Sequence, residues 1–455
     1  MARAKKEAAL TPEERLQAAL VPDWEWPYKL PKNWCWTTVG TICDGFQYGY
    51  TEKATFEKIG PHFIRITDIG DGIINDSGAP YCKIDSDSFI KYKINKDDIL
   101  IARMGSVGEN GLATHNIDGV FASYLIRIVP RSNAKYVCNF LQTNLYWGQI
   151  SEKAQGTTRL NVNANVLKNL IIPLAPLAEQ QRIVDRIESL FAKLNEAKEK
   201  AQAVVDSFET RKAAILHKAF TGELTAKWRE EHGVGMESWK KKSVGELCIS
   251  LKYGTAKKPD ASGNVVVLRM GNLQQGEIDW SDLAYSNDPD DIEKYKLFPG
   301  DVLFNRTNSA ALVGKTAIYR GEHPAIYAGY LIKLDYDHDK IIGDYLNYAL
   351  NTLDAKKYCN SVKTDGVNQS NINAKKIGAY SFNVPNIPEQ EKIVSVIQKL
   401  LSKEQQSKAA AEAVLDQIDL MKKSILARAF RGELGTNDPS EESAVELLKE
   451  IIRRG

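Results

Sequence analysis

The chain has 455 residues, enough at roughly 150 residues per domain for about three domains, each with its own core. With 43% hydrophobic and 26% charged residues it has globular composition, which excludes a disordered, collagenous or purely coiled-coil protein. Lys+Arg total 60 against 58 Asp+Glu, so a net charge of +2 gives no bulk attraction to polyanions, and any nucleic acid must be met by a local basic surface.

The start, MARAKKEAALTPEE, is basic but lacks the apolar stretch of a signal peptide, and no run of 18 apolar residues follows anywhere. Six cysteines (Cys35, Cys43, Cys82, Cys138, Cys248, Cys359) show no CxxC spacing, which predicts free thiols, no cysteine-based zinc site and a reducing, cytoplasmic setting. Segment 1–30 carries a capping box, Thr11-Pro12-Glu13-Glu14, leading into Leu16, Ala19 and Leu20. Residues 31–175 read as a mixed α/β domain of short strands (PHFIRI, DDILIARM, GVFASYLIRIVP) separated by Gly/Asn/Asp turns. Residues 176–235 hold a long helix that starts after Pro176 and stops at Gly222. A second α/β domain follows at 236–385 (NVVVLRM, GDVLFNR, AIYAGYLIKL), then a second long helix at 386–434, begun after Pro388 and stopped at Gly432. Segment 435–455 is an amphipathic helix, with Asp438-Pro439-Ser440-Glu441 as its expected capping box ahead of Val445, Leu448 and Ile452.

This order is a duplication. Glu179–Leu224 aligns without a gap on Glu389–Leu434, and 20 of 46 positions are identical. Trp34-x4-Val39-Gly40 answers Trp239-x4-Val244-Gly245, and Tyr48-Gly49 answers Tyr253-Gly254. IRITDIGDG (64–72) answers LRMGNLQQG (268–276), DILIARMGS (98–106) answers DVLFNRTNS (301–309), YLIR (124–127) answers YLIK (330–333), and Asn161-x-Asn163 answers Asn371-x-Asn373. Both helices carry an a/d seam: Ile183, Ile187, Leu190, Leu194, Ala197, Ala201, Val204, Phe208 and Ile215, broken at Arg211, and Ile393, Ile397, Leu400, Ala411, Val414, Ile418, Met421 and Ile425, broken at Glu404 and Ser407. Each seam asks for a partner helix, and about 42 residues at about 1.5 Å each give a rod of roughly 60 Å. An antiparallel pair would place one domain at each end with an approximate two-fold axis between them, a shape suited to duplex DNA. The expected fold is therefore α+β (mixed α/β), with two similar globular domains separated by two long helices in an antiparallel, pseudo-two-fold coiled coil.

The stretch IIPLAPLAEQQRIV (171–184), its partner FNVPNIPEQEKIV (382–394), the helix ends KAAILHKAFTGEL and KKSILARAFRGEL, and the motifs YGYTEKA (48–54) and DILIARMGSVG (98–108) resemble the specificity subunit of type I restriction–modification enzymes, over nearly the whole chain. The resemblance implies two target-recognition domains, each reading one half of a split DNA site, and helical spacers holding them apart. It also implies two docked adenine-N6 methyltransferase subunits, with translocase–nuclease subunits joining for cleavage. S-adenosylmethionine, ATP and Mg²⁺ would serve those partners, with no cofactor in this chain.

The residues agree with a non-catalytic role. No GxxxxGK[ST] loop is present, GDGIIN (70–75) misses the last glycine of a dinucleotide loop, and no Asn/Asp-Pro-Pro-aromatic stretch exists to hold a flipped adenine. Asp97-Asp98 and Asp290-Asp291 read as solvated turn acids rather than Mg²⁺ ligands, and His62, His115, His217, His232, His323 and His338 form no ligand spacing. If the halves read different half-sites, positions identical in both copies serve the fold or touch phosphate, and base readout falls to positions that differ. Three loop pairs qualify. Gln47, Tyr48 and Lys53 face Lys252, Tyr253 and Lys258; Arg103 and Ser106 face Arg306 and Ser309; Thr158 and Arg159 face Asn368 and Gln369. Arg favours guanine and Asn or Gln adenine by bidentate geometry, so Arg159 and Gln369 are candidates to read different bases. Between 179 and 220 eight cations balance seven anions, which marks the first helix as a ruler rather than a phosphate-tracking face. Two other readings stand beside this one: a coiled-coil protein-interaction scaffold that never binds DNA, and a self-sufficient modification enzyme, which the missing motifs oppose.

Overall fold

The computed structural model describes residues 11–154, 161–367 and 369–454, which divide into two compact units. One runs to Lys200 and resumes at Ala413; the other is Ala201–Glu412. Each long helix contributes to both.

In the first unit, strand Cys43–Tyr48 edges a six-stranded sheet that continues through Leu125–Pro130, Ile99–Ala102, Asn110–Leu112, Gly72–Ile74 and Ile69–Gly70. A second sheet sets His62–Ile64 parallel to Ile117–Phe121, with Lys93–Ile94 antiparallel on the far side. Cys35–Thr38 pairs antiparallel with Ile171–Leu174, so the strand after Trp34 meets the strand that leads into the long helix. The second unit repeats this plan. Cys248–Tyr253, Leu331–Tyr336, Val302–Asn305 and Thr316–Ile318 form the main sheet, Val265–Leu268 lies parallel to Ala325–Tyr327, and Lys240–Ser243 pairs with Ser381–Val384. The central strands Ile99–Ala102 and Val302–Asn305 are buried on both faces, which explains their continuous apolar runs.

GDGIIN (70–75) forms a hairpin turn, as does its counterpart at Gln275-Gly276. Asp71 and Gln275 have φ of 51° and 54°, and Gly72 and Gly276 follow at 75° and 97°, the paired left-handed residues of a tight two-residue turn.

The first long helix is not continuous. It runs Leu177–Asp206 and resumes as Phe208–Phe220. At the break the Ser207 hydroxyl donates back to the carbonyls of Ala203 and Val204, beside the retained backbone bond from Ser207 N to Ala203 O at 3.1 Å. The second long helix is unbroken over 43 residues, Ile387–Ala429. Within each unit the helices run antiparallel: Asn195 accepts from Lys422 at 2.7 Å and Lys198 lies 3.9 Å from Asp419 in the first. In the second, Arg211 meets Glu404 at 2.5 Å, and Lys408 sits 5.0 Å from the Phe208 ring. The polar lapses Arg211 and Glu404 are thus partners across the seam.

The Thr11 capping box forms as expected, with Thr11 Oγ1 accepting from the Glu14 amide and Glu14 from the Thr11 amide. The one expected at Asp438 does not. Asp438 instead accepts from Ser440 within a turn, Glu441 is held by Arg182 in a bidentate pair at 2.7–2.8 Å, and the helix starts later, at Ala444. A carboxylate bound by a guanidinium fork is not free to cap.

Candidate nucleic-acid interface

The recurring Glu-Gln pair at the start of each long helix builds the base on which the strands stand. Glu179 is fully buried; its Oε2 accepts from Trp34 Nε1 and from Asn437 Nδ2, both at 2.7 Å. Glu389, also buried, accepts from Trp239 Nε1 at 3.0 Å and from Arg229 and Thr225 at 2.7 Å each. Gln180 and Gln390 donate to the carbonyls of Ala175 and Pro385, locking the strand-to-helix joint. This explains why Trp34/Trp239 and Glu179/Glu389 recur together.

From this base, three neighbouring strands of the main sheet end side by side in each half, and their ends hold the duplicated candidates. Tyr48 closes its strand, Arg103 follows the strand Ile99–Ala102, and Tyr124 precedes the strand between them. The Arg103 guanidinium lies 4.7 Å over the Tyr48 ring, and Arg306 lies 4.7 Å over Tyr253. The Tyr48 hydroxyl accepts from the Ala164 amide at 3.2 Å while Asn163 Oδ1 accepts from the Val166 amide at 3.0 Å, together satisfying the first turn of helix Ala164–Lys168. Tyr253 and Asn373 do the same for helix Ala374–Gly378, at 3.0 and 2.9 Å. The glycine after each tyrosine is obligatory, because a Cβ would come within 2.3 Å of the Phe121 and Ala122 carbonyls at Gly49, and within 2.2 Å of Tyr327 O at Gly254.

The other candidates scatter in role. Gln47 is turned into the protein, accepting from Arg127 and donating to Lys91 O, and Lys252 is paired with Asp335 at 2.9 Å, which holds the Asp335 carboxyl below its usual range. Lys53, Lys258, Ser106, Ser309 and Gln369 are exposed. Gln369 belongs to a small hairpin whose strand Ser370–Asn371 pairs with Thr307–Asn308, directly after Arg306. Thr158, Arg159 and Asn368 lie outside the described residues. In the second half, Lys258, Arg306, Thr307 and Tyr330 line a cleft of about 580 Å³, together with Lys257 and Arg269. Tyr124/Tyr330 and Arg65/Arg269 were not singled out from sequence, although both pairs stand in stretches that recur in the two copies.

Of the acidic pairs, Asp97 and Asp290 are exposed as expected of turn acids, but Asp98 and Asp291 are not solvated: both are buried and held by partners from distant strands and loops. Asp98 accepts from the Asn95 amide and lies 3.3 Å from Arg127; the equivalent Asp301 pairs with Lys333 at 2.8 Å. Asp291 accepts from the Thr255 hydroxyl and faces Lys257 at 3.4 Å. Among the described residues no group of three His, Cys, Asp or Glu could hold a metal ion. The six cysteines are unbonded, and burial pushes the thiols up, Cys35 to about 12 and Cys359 to about 11.

The duplicated strand-end geometry has a counterpart in the comparisons with known proteins. A family model described as the Type I restriction modification DNA specificity domain matches residues 37–205 and again 236–413. The chain belongs to this family. It is a specificity subunit, non-catalytic, and serves DNA sequence recognition in a type I restriction–modification system. It is 26% identical to the type I restriction enzyme StySPI specificity subunit of Salmonella potsdam over 448 residues, spanning 93% of this chain and 96% of that one. Its identity to the EcoKI specificity subunit of Escherichia coli K12 is also 26%, over 452 residues with the same coverage. In fold it is similar to the HsdS subunit from Thermoanaerobacter tengcongensis (TM-score 0.58, 20% identity, 90% of this chain and 100% of that). It is also similar to a chain from work on complex assembly and conformational transition of the type I R-M system (TM-score 0.68, 20% identity, 90% of this chain and 100% of that). DNA recognition sets aside the scaffold that never binds DNA. No helix among the described residues is long and apolar enough to cross a membrane.

Proposed function

We propose that each half of this specificity subunit reads one half of a bipartite, asymmetric DNA site, and that the paired long helices set the unread gap. The framework docks two adenine-N6 methyltransferase subunits, joined by translocase–endonuclease subunits for cleavage. S-adenosylmethionine, ATP and Mg²⁺ belong to those partners, and this chain holds no cofactor. The observation that carries the proposal is the duplicated strand-end geometry, Tyr48–Arg103 and Tyr253–Arg306 at the same separation, surrounded by residues that differ between copies. Equal scaffolds with unequal neighbours suit two related but different half-sites.

Co-expression with the methyltransferase subunits, followed by genome-wide mapping of N6-methyladenine, tests this. A split motif with two unlike halves and a constant gap is the expected result. A continuous or palindromic motif overturns the two-half reading.

A further inference from the structure

Arg103 and Arg306 differ from the other arginines around them. Arg65, Arg127 and Arg269 are each neutralised, by Asp68, Asp98 and Asp282. Neither Arg103 nor Arg306 has a carboxylate partner among the described residues; the buried Nε of each, like those of Arg127 and Arg269, has no hydrogen-bond acceptor, and Arg306 donates from Nη1 to Gly329 O at 3.1 Å. In a chain whose charges nearly cancel, two guanidiniums without a carboxylate at matching places, each 4.7 Å over a tyrosine ring, are a shared feature that the ion-pair network leaves open. Each sits beside a second tyrosine: the Arg103 amide donates to Tyr124 O at 2.9 Å and the Arg306 amide to Tyr330 O at 3.0 Å. Those two rings are 52% and 48% exposed, large apolar surfaces left in solvent at the end of a buried sheet. In the second half Arg306 and Tyr330 open on the cleft shared with Lys258.

We infer that Arg103 with Tyr124, and Arg306 with Tyr330, form twin seats for one DNA backbone phosphate in each half-site. The inference rests on the proposed split-site reading and assigns to these residues the part that carries no sequence information. Chemical identity favours phosphate over a base edge: the arginine and tyrosines are the same in both copies, whereas Met104/Thr307 and Gly105/Asn308 beside them are not. A guanidinium held over a tyrosine ring, with no carboxylate on it and Nη donors still free, offers the forked geometry a phosphate takes. The neighbouring ring packs against the sugar and keeps water from the contact.

The test uses the assembled complex and a duplex carrying its mapped motif. Methylphosphonate, which is neutral, is substituted at single backbone positions, so the wild-type protein can be read directly. Two positions are expected to weaken binding, one per half-site and at the same offset within each. Arg103→Gln should abolish the effect of the first alone and Arg306→Gln that of the second. Each variant should also lower the slope of log affinity against log salt by about one, without altering the motif. Tyr124→Ala and Tyr330→Ala should weaken binding to every sequence several-fold with the slope retained. Absence of a matched pair of sensitive positions overturns the seats, as does relaxation of a single base in an arginine variant. Loss of the split motif in the wild type would instead strike the underlying function.

Discussion

Glu179 and Glu389 occupy the same place in the two copies, yet their surroundings make them unequal. Glu389 faces a buried cation, Arg229, whereas the donors to Glu179 are neutral: an indole, an amide and the Thr436 hydroxyl. Glutamine retains an acceptor for neutral donors, so Glu179→Gln should cost about 1 kcal/mol in urea unfolding. Glu389→Gln leaves Arg229 charged and uncompensated in the interior and should cost about 3 kcal/mol or more. Equal losses for the two variants would show that the Arg229 pair contributes no more than a neutral hydrogen bond. That a carboxylate recurs at both helix starts is visible in the repeat. That Arg229 answers only one of them is not, because Arg229 lies 160 positions away and nothing in its local pattern marks it as interior.

At the scale of the element, the long helices were legible from their heptads, and their antiparallel pairing within each unit follows the complementary seams. The break at Ser207 has no signal in the heptad pattern because serine is tolerated in a helix; in the structure its hydroxyl bonds back to Ala203 and Val204. Arg211 and Glu404 read separately as faults in two seams; together they are one interhelical pair, a contact that sets register. If the paired helices are the ruler, inserting four residues, about one turn or 6 Å, should change the gap between half-sites and leave both half-sites alone. Methylome mapping of the variant checks this. Retained methylation with an unchanged gap would remove the ruler.

For the whole molecule, the proposed split-site reading makes the halves separable in function. Gln369 sits in the hairpin that pairs with Thr307–Asn308, beside the second half's Arg306. Gln369→Ala should therefore relax one position in one half-site, with the other half-site and the gap intact, as read by mapping methylated adenines. A uniform fall in methylation at every site would move Gln369 from base reading to framework.

The repeat, the seams and the Tyr-Gly, Trp and Glu-Gln signatures are periodic or duplicated features, so the linear chain alone specified a doubled α+β protein with two long helices and pointed to DNA. Which polar groups remain available to a ligand came from folding. Gln47 is engaged by Arg127, Lys252 by Asp335 and Glu441 by Arg182, while Arg103 and Arg306 are left without a carboxylate among the described residues. Ion pairing and burial depend on residues brought together from far apart in the chain, and no local spacing encodes those distances.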